Sequence, residues 1–312
     1  MPVHNPNPAY GAHMGAFAGI PTFMRQPASR NFDNIDVAVV GIPFDSGANS
    51  HRSGTRLGPR KIREMSLLMW GYNDVLSISP LEVLNLVDYG DVDVEPINIE
   101  TTMAVITKEV STILEAGPLV MSLGGDHSIS LPLLRAHAAK HGPVALIHFD
   151  SHCDTSRRDK YDHGTPFRRA IEEDLINIDA YLQIGIRGPT YPGDVQAARD
   201  LGANVLTIGQ CFEMGIPAII KTIHDVVGDR PAYVTLDIDS IDPSYAPGTG
   251  TPEVGGFTSY QMLQMVRGLR GLNLIGFDLV EVNPAYDSPG EITAILAANL
   301  AFEFLSVVAL GR

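Results

Sequence analysis

Cysteine is scarce in this sequence: two residues in 312, Cys153 and Cys211. Two thiols cannot staple a chain of that length. A disulfide-framed fold is excluded, and a reducing compartment, the cytoplasm, is the expectation. Positive charge is scarce too. Lys and Arg number 22 against 36 Asp and Glu, a formal net charge of −14. That sign repels phosphates, so neither nucleic acid nor an anionic membrane is an expected partner. No uninterrupted apolar run of about 18 residues occurs, so no membrane-spanning helix is expected. The first residues also lack the basic-then-apolar order of a secretion signal. What the chain does have is 45% hydrophobic residues, enough for a large core.

Residues 1–34 are rich in Pro, Gly, Asn and Ala and read as an irregular arm; 35–312 read as a single catalytic domain. From residue 35, apolar runs of strand length alternate with helical patterns. Strands are predicted at 35–43, 83–87, 118–123, 144–150, 181–186, 204–207, 232–237 and 272–280. Helices are predicted at 59–70, 99–115, 128–140, 167–175, 195–201, 217–227, 259–269 and 291–305. Near-continuous apolar strands alternating with helices predict an α/β fold, its mostly parallel sheet covered on both faces.

In such sheets ligands bind beyond the carboxyl ends of the strands. The residues following the predicted strands are therefore informative. Gly124-Gly125-Asp126-His127 follows one, Asp150-Ser151-His152-Cys153-Asp154 another, and Asp237-Ile238-Asp239 a third; a fourth ends at Glu281. Asp150, His152 and Asp154 alternate, as do Asp237 and Asp239, so in extended backbone each set shares a side. Acids gathered in a small volume need cations to compensate them. Four Asp and two His suit divalent Mn²⁺, Ni²⁺ or Zn²⁺. Six donors, two of them able to bridge, suffice for two metals, and such pairs make water nucleophilic near neutral pH. His148, inside an apolar strand, reads as a satisfied core histidine, and Cys153 as a packing residue.

These segments resemble the ureohydrolase family of arginase, agmatinase and the guanidino-acid hydrolases. The resemblance rests on GGDHS at 124–128, DSHCDT at 150–155, HGTPF at 163–167, DIDSIDPSYAPGTGTPE at 237–253 and EVNPAYD at 281–287. It implies a three-layer α/β/α sandwich around an eight-stranded sheet, and hydrolysis of a linear guanidino compound to urea or a substituted urea plus an amine. It implies two divalent ions, Mn²⁺ first and Ni²⁺ as the alternative. His127 and Asp154 would hold one ion, His152 and Asp239 the other, with Asp150 and Asp237 bridging. Asp154 would also pass a proton to the leaving amine, His163 would shuttle protons, and Glu281 would pair with the guanidinium. A homo-oligomer, trimer or hexamer, is implied as well, and a hetero-oligomer is compatible with it.

Two departures bear on the substrate. Ser151 stands where the family usually has Ala. After DSHCDT come Ser156, Arg157 and Arg158, where relatives carry small polar residues. Arg157 is accordingly a candidate partner for a substrate carboxylate. The segment 17–25, FAGIPTFMR, resembles the arm of guanidinobutyrases, guanidinopropionases and proclavaminate amidinohydrolases, which act on guanidino acids. The competing readings are a zinc amidohydrolase of the deacetylase type, with one metal, and a non-catalytic subunit of a hetero-oligomer.

Overall fold

The apolar runs form eight strands: β1 (Val37–Gly41), β2 (Leu86–Asp91), β3 (Leu119–Leu123), β4 (Val144–Phe149), β5 (Ile176–Ile186), β6 (Asn204–Thr207), β7 (Ala232–Asp237) and β8 (Leu274–Val280). The structure is a computed structural model that describes residue 15 and residues 17–312. The first part of the predicted arm, residues 1–14 and 16, lies outside the described residues. The strands make one sheet in the order β2-β1-β3-β8-β7-β4-β5-β6, with every pair parallel. The last strand in sequence is thus central, and it alone joins β2-β1-β3 to β7-β4-β5-β6.

Alternate side chains of each strand go to opposite faces. Val37, Val39, Ala145, Ile147 and Phe149 enter one core; Ala38, Val40, Val144 and Leu146 enter the other. The helices Ile216–Val227, Ser259–Arg267 and Ile292–Leu310 cover the first face. The helices Ile99–Ala116, Ser130–His141 and Pro166–Glu172 cover the second. The result is the three-layer α/β/α sandwich.

Three expectations are corrected. The strand predicted at 83–87 runs from Leu86 to Asp91, because Pro80 opens a helical turn that lasts to Val83. A helix at Ile208–Met214 went unpredicted although its Thr207/Gln210 capping box is a sequence signal. The helix Ile292–Leu310 is long and apolar enough to cross a membrane, contrary to the reading from apolar runs. Most of it is buried against the sheet, and it is hydrophobic on all sides as a core helix is. In the arm, Phe23 is buried, its N–H donating to Asp88 Oδ2 at 2.7 Å, so this part packs on the sheet.

Candidate metal centre and active-site cavity

β3, β8, β7 and β4 are neighbours in the sheet, so segments up to 154 residues apart in sequence end side by side. After β3 the chain turns through Gly124 and Gly125. A Cβ on Gly125 would run into the Phe44 backbone, so only glycine lets the turn lie this close. Asp126 caps the following turn, accepting the Ser128 N–H at 3.0 Å, and frees the His127 ring to face inward.

His127 Nδ1 lies 3.1 Å from Asp150 Oδ2, 3.0 Å from Asp154 Oδ2 and 3.3 Å from Asp237 Oδ2. His152 Nδ1 lies 3.1 Å from Asp239 Oδ2 and 3.6 Å from Asp150 Oδ1. All six predicted donors therefore converge. Asp150 spans the two groups, one carboxylate oxygen toward each histidine. Asp237 faces the His127 side with Oδ2, while its Oδ1 accepts the Asp239 N–H at 2.8 Å.

The protonation pattern tests whether a cation fits. Thr235 Oγ1 donates to Asp278 Oδ1 at 2.6 Å, so toward His127 Nε2, 2.9 Å away, it accepts. The neutral ring thus carries its proton on Nε2. That leaves the Nδ1 lone pair aimed at three carboxylates, and Nδ1 has no hydrogen-bond partner. A lone pair and three carboxylates at about 3 Å repel one another unless a cation sits among them, so the donors fit a metal. The titration shifts register how much negative charge crowds the two histidines. Burial would lower His127 and His152, but the facing carboxylates hold both well above the ordinary value. Burial, then Asp239 and Asp150, pushes Asp237 well up; burial and Asp150 push Asp154 up. Burial opposes ionisation of Asp150 too, yet the three histidines that face it, His127, His148 and His152, hold it well below the usual range.

Glu281 stands beside this centre at the end of β8, buried and with φ 63°. Asp154 also has positive φ, 48°. Left-handed backbone at a non-glycine residue is strained and clusters at functional sites. Glu281 Oε1 accepts the His127 backbone N–H at 2.9 Å and lies 3.2 Å from His163 Nδ1. His163 Nε2 accepts the Asn49 N–H at 3.1 Å, so the neutral ring donates from Nδ1 to Glu281. Burial lowers the His163 pKa, but Glu281 more than offsets this and brings it to about 9. The Asn49 N–H opposes the protonated form.

These groups open into a cavity of about 410 Å³ whose lining includes His152, Asp154, His163, Asp237, Thr251 and Glu281. Tyr191 and Asp194 border its outer part. A larger hollow, about 600 Å³, lies at the opposite end of the strands, beside the amino ends of β3 and β8, and holds none of the predicted donors, so chemistry rather than size selects the site. Arg157 is exposed and outside the cavity lining. Arg158 is committed to Asp162 Oδ2 at 2.9 Å. Cys153 is buried in the core, as expected, and also borders the cavity; burial and Asp194 push its thiol up to about 12.

Sequence reasoning missed the residues that hold the donors. His148 is a buried histidine as predicted, and its Nε2 pairs with Asp150 Oδ2 at 2.7 Å. Thr235 and Asp278 orient His127 from inside β7 and β8. Ser151, the departure from the family pattern, donates its hydroxyl to Asp239 Oδ1 at 2.8 Å. A polar residue in the middle of an apolar strand is the signal that could have found His148, Thr235 and Asp278.

Comparison with known proteins agrees with this arrangement. The family model for the arginase family matches residues 35–306. The chain is 44% identical over 308 residues to guanidinobutyrase of Pseudomonas aeruginosa, covering 96% of each chain. It is 43% identical to agmatinase of Chromobacterium violaceum, covering 96% of this chain and 92% of the relative. The solved structure of proclavaminate amidinohydrolase from Streptomyces clavuligerus superposes with a TM-score of 0.91 at 39% identity, over 96% of this chain and all of that one. Matched over nearly its whole length in sequence and in fold, the chain belongs to the arginase family.

Proposed function

We propose that the chain is a binuclear metal-dependent hydrolase that cleaves a C–N bond of a linear guanidino compound, giving urea or a substituted urea and an amine. The observation that carries this is His127 Nδ1, an orphaned donor facing three carboxylates, with Glu281 opening into the same cavity. His127 with Asp154, and His152 with Asp239, would hold two divalent ions, and Asp150 and Asp237 would serve both. Bound there, the pair supplies Lewis acidity and lowers the pKa of water. The Asp/His donor set suits Mn²⁺ first and Ni²⁺ second.

The protein's own groups do the rest. Glu281 Oε1 is engaged by His127 and His163, and Oε2 is left for the N–H donors of a guanidinium. Asp154, between His127 and the cavity, takes the proton given up by the attacking water and hands it to the leaving amine. His163, on the cavity wall and partly exposed, exchanges protons between the cavity and solvent. A guanidino acid such as 4-guanidinobutyrate is our first substrate, supported by the guanidinobutyrase relative and the arm sequence. We further propose a homo-oligomer, trimer or hexamer, in the cytoplasm, with residues 35–312 as the catalytic domain.

The test is urea release by Mn²⁺- or Ni²⁺-loaded protein across 4-guanidinobutyrate, 3-guanidinopropionate, agmatine, arginine, guanidine and biguanides. Turnover of at least one is expected, with a loss of about 100-fold or more in kcat/KM for Glu281→Gln. No urea from any of them overturns the proposal.

A further inference from the structure

Arg187 follows β5 directly, and its side chain is buried. All its side-chain hydrogen bonds go to backbone carbonyls. Nε donates to Val254 O at 3.2 Å, and Nη1 to Gly185 O at 3.3 Å and Ser240 O at 3.2 Å. Nη2 donates to Asp239 O and Glu253 O, both at 2.7 Å, and to Ile241 O at 3.4 Å. The Arg187 backbone N–H donates to Ser151 O at 2.9 Å. One residue therefore grips three segments: the turn after β4, the turn after β7, and the loop at 253–254 that brings Glu253 to 3.8 Å from His152 Nε2.

Those segments carry one half of the metal centre. Ser151 and His152 lie on the first and Asp239 on the second. None of the Arg187 contacts reaches the His127 side. The cradle is also fitted to the guanidinium: a Cβ on Gly256 would collide with Arg187 Nη2. A buried cation without a carboxylate in ion-pair contact is costly, and core packing alone would be served as well by an apolar side chain. What the guanidinium adds is a rigid planar fork of donors that fixes several carbonyls at once, which a lysine ammonium cannot copy. Its charge also faces Asp239 and Asp150.

We propose that Arg187 is a positioning residue for the His152/Asp239 half of the metal centre, setting metal affinity there and not in the His127/Asp154 half. This rests on the binuclear reading above. Donors behind a metal ligand typically change metal affinity 10- to 100-fold when removed.

The test is calorimetric titration of the whole metal-stripped chain with Mn²⁺ alone, with EPR of the loaded protein reporting whether the ions are paired. Wild type is expected to take two ions per chain. Arg187→Met should keep one site at wild-type affinity, weaken the other about 10- to 100-fold, and give the EPR signal of an isolated ion at one equivalent. Arg187→Lys should fall between. That variant keeps the cation without its fork, so it decides the matter if Arg187→Met does not fold. Two sites of unchanged affinity in the folded variants overturn the inference, and so does equal weakening of both sites. Wild type that takes up neither Mn²⁺ nor, in a parallel titration, Ni²⁺ overturns the metal reading and this inference with it.

Discussion

A histidine in a protein core must have its two nitrogens accounted for, and His127, His148 and His137 do so differently. His127 hydrogen-bonds through Nε2 and turns Nδ1 on three acids; His148 is paired at both nitrogens. His137, on the Ser130–His141 helix, bonds the Leu133 carbonyl at 2.8 Å, and its Nε2 has no partner. Burial drives its pKa down from 6.5 to about 4. Between those values the unfolded chain binds a proton that the folded chain refuses. Stability contributed by the neutral ring is therefore present above pH 6.5 and lost as pH falls toward 4. The loss amounts to about 3 kcal/mol. Urea midpoints measured from pH 7 to pH 4.5 should fall less steeply in His137→Gln than in wild type. At this scale the donors of the metal centre were legible in the sequence, because Asp and His at alternate positions after apolar strands is a pattern. Asp278 and Thr235 were not, because their partners lie on other strands. Nor did the sequence reveal that Arg157 is exposed and Arg158 is spent on Asp162, since only the folded loop decides where a long side chain ends.

The elements were legible where one period dominated. Most of the eight strands are short and apolar, and the sheet buries both faces, so even the alternation of inward residues was dispensable; β5 is the exception, its polar first half (176–180) extending the strand expected at 181–186. The miss at 83–87 came from Pro80, which starts a helical turn and delays the strand. The final helix was read as ending at residue 305 and reaches Leu310. Its apolar surface is interrupted by Glu303, which pairs with Arg267 on the Ser259–Arg267 helix and accepts from Asn73 Nδ2 at 2.8 Å. Both ends of that ion pair are largely buried, so removing one leaves an uncompensated charge. Arg267→Met should cost about 3–5 kcal/mol in urea unfolding. Adding Glu303→Leu should return part of that loss; if the double variant is no more stable than the single, the ion pair is not what the helix depends on.

On the scale of the whole molecule, the charge of −14 includes Asp150, Asp154, Asp237, Asp239 and Glu281 at a single cavity. Two divalent ions there would change the formal total to −14 + 4 = −10. Because folded protein gathers these acids and unfolded protein scatters them, a bound metal stabilises only the folded form. At a thousand-fold excess over its Kd one ion contributes about 4 kcal/mol, on the order of 10 °C in Tm for a chain of this size. Chelation should lower the scanning-calorimetry Tm by that order, and added Mn²⁺ should restore it. A Tm indifferent to chelator would show that the acids are held apart by the fold alone.

The position of β8 has a consequence in time. The ribosome makes the protein from residue 1 onward, yet the strand that fuses the two halves of the sheet is the last one made. Until about residue 282 has left the exit tunnel, β3 with His127 and β4 with Asp150 belong to separate fragments with no shared edge. Each fragment exposes an unpaired strand next to an apolar face, a state open to aggregation. A nascent chain at that stage has the donors of the His152/Asp239 half, which follow β4 and β7, but not His127 beside them. Ribosome-bound chains stopped before Leu274 should be unable to hold the pair of ions, because only β8 brings His127 beside Asp150 and Asp154.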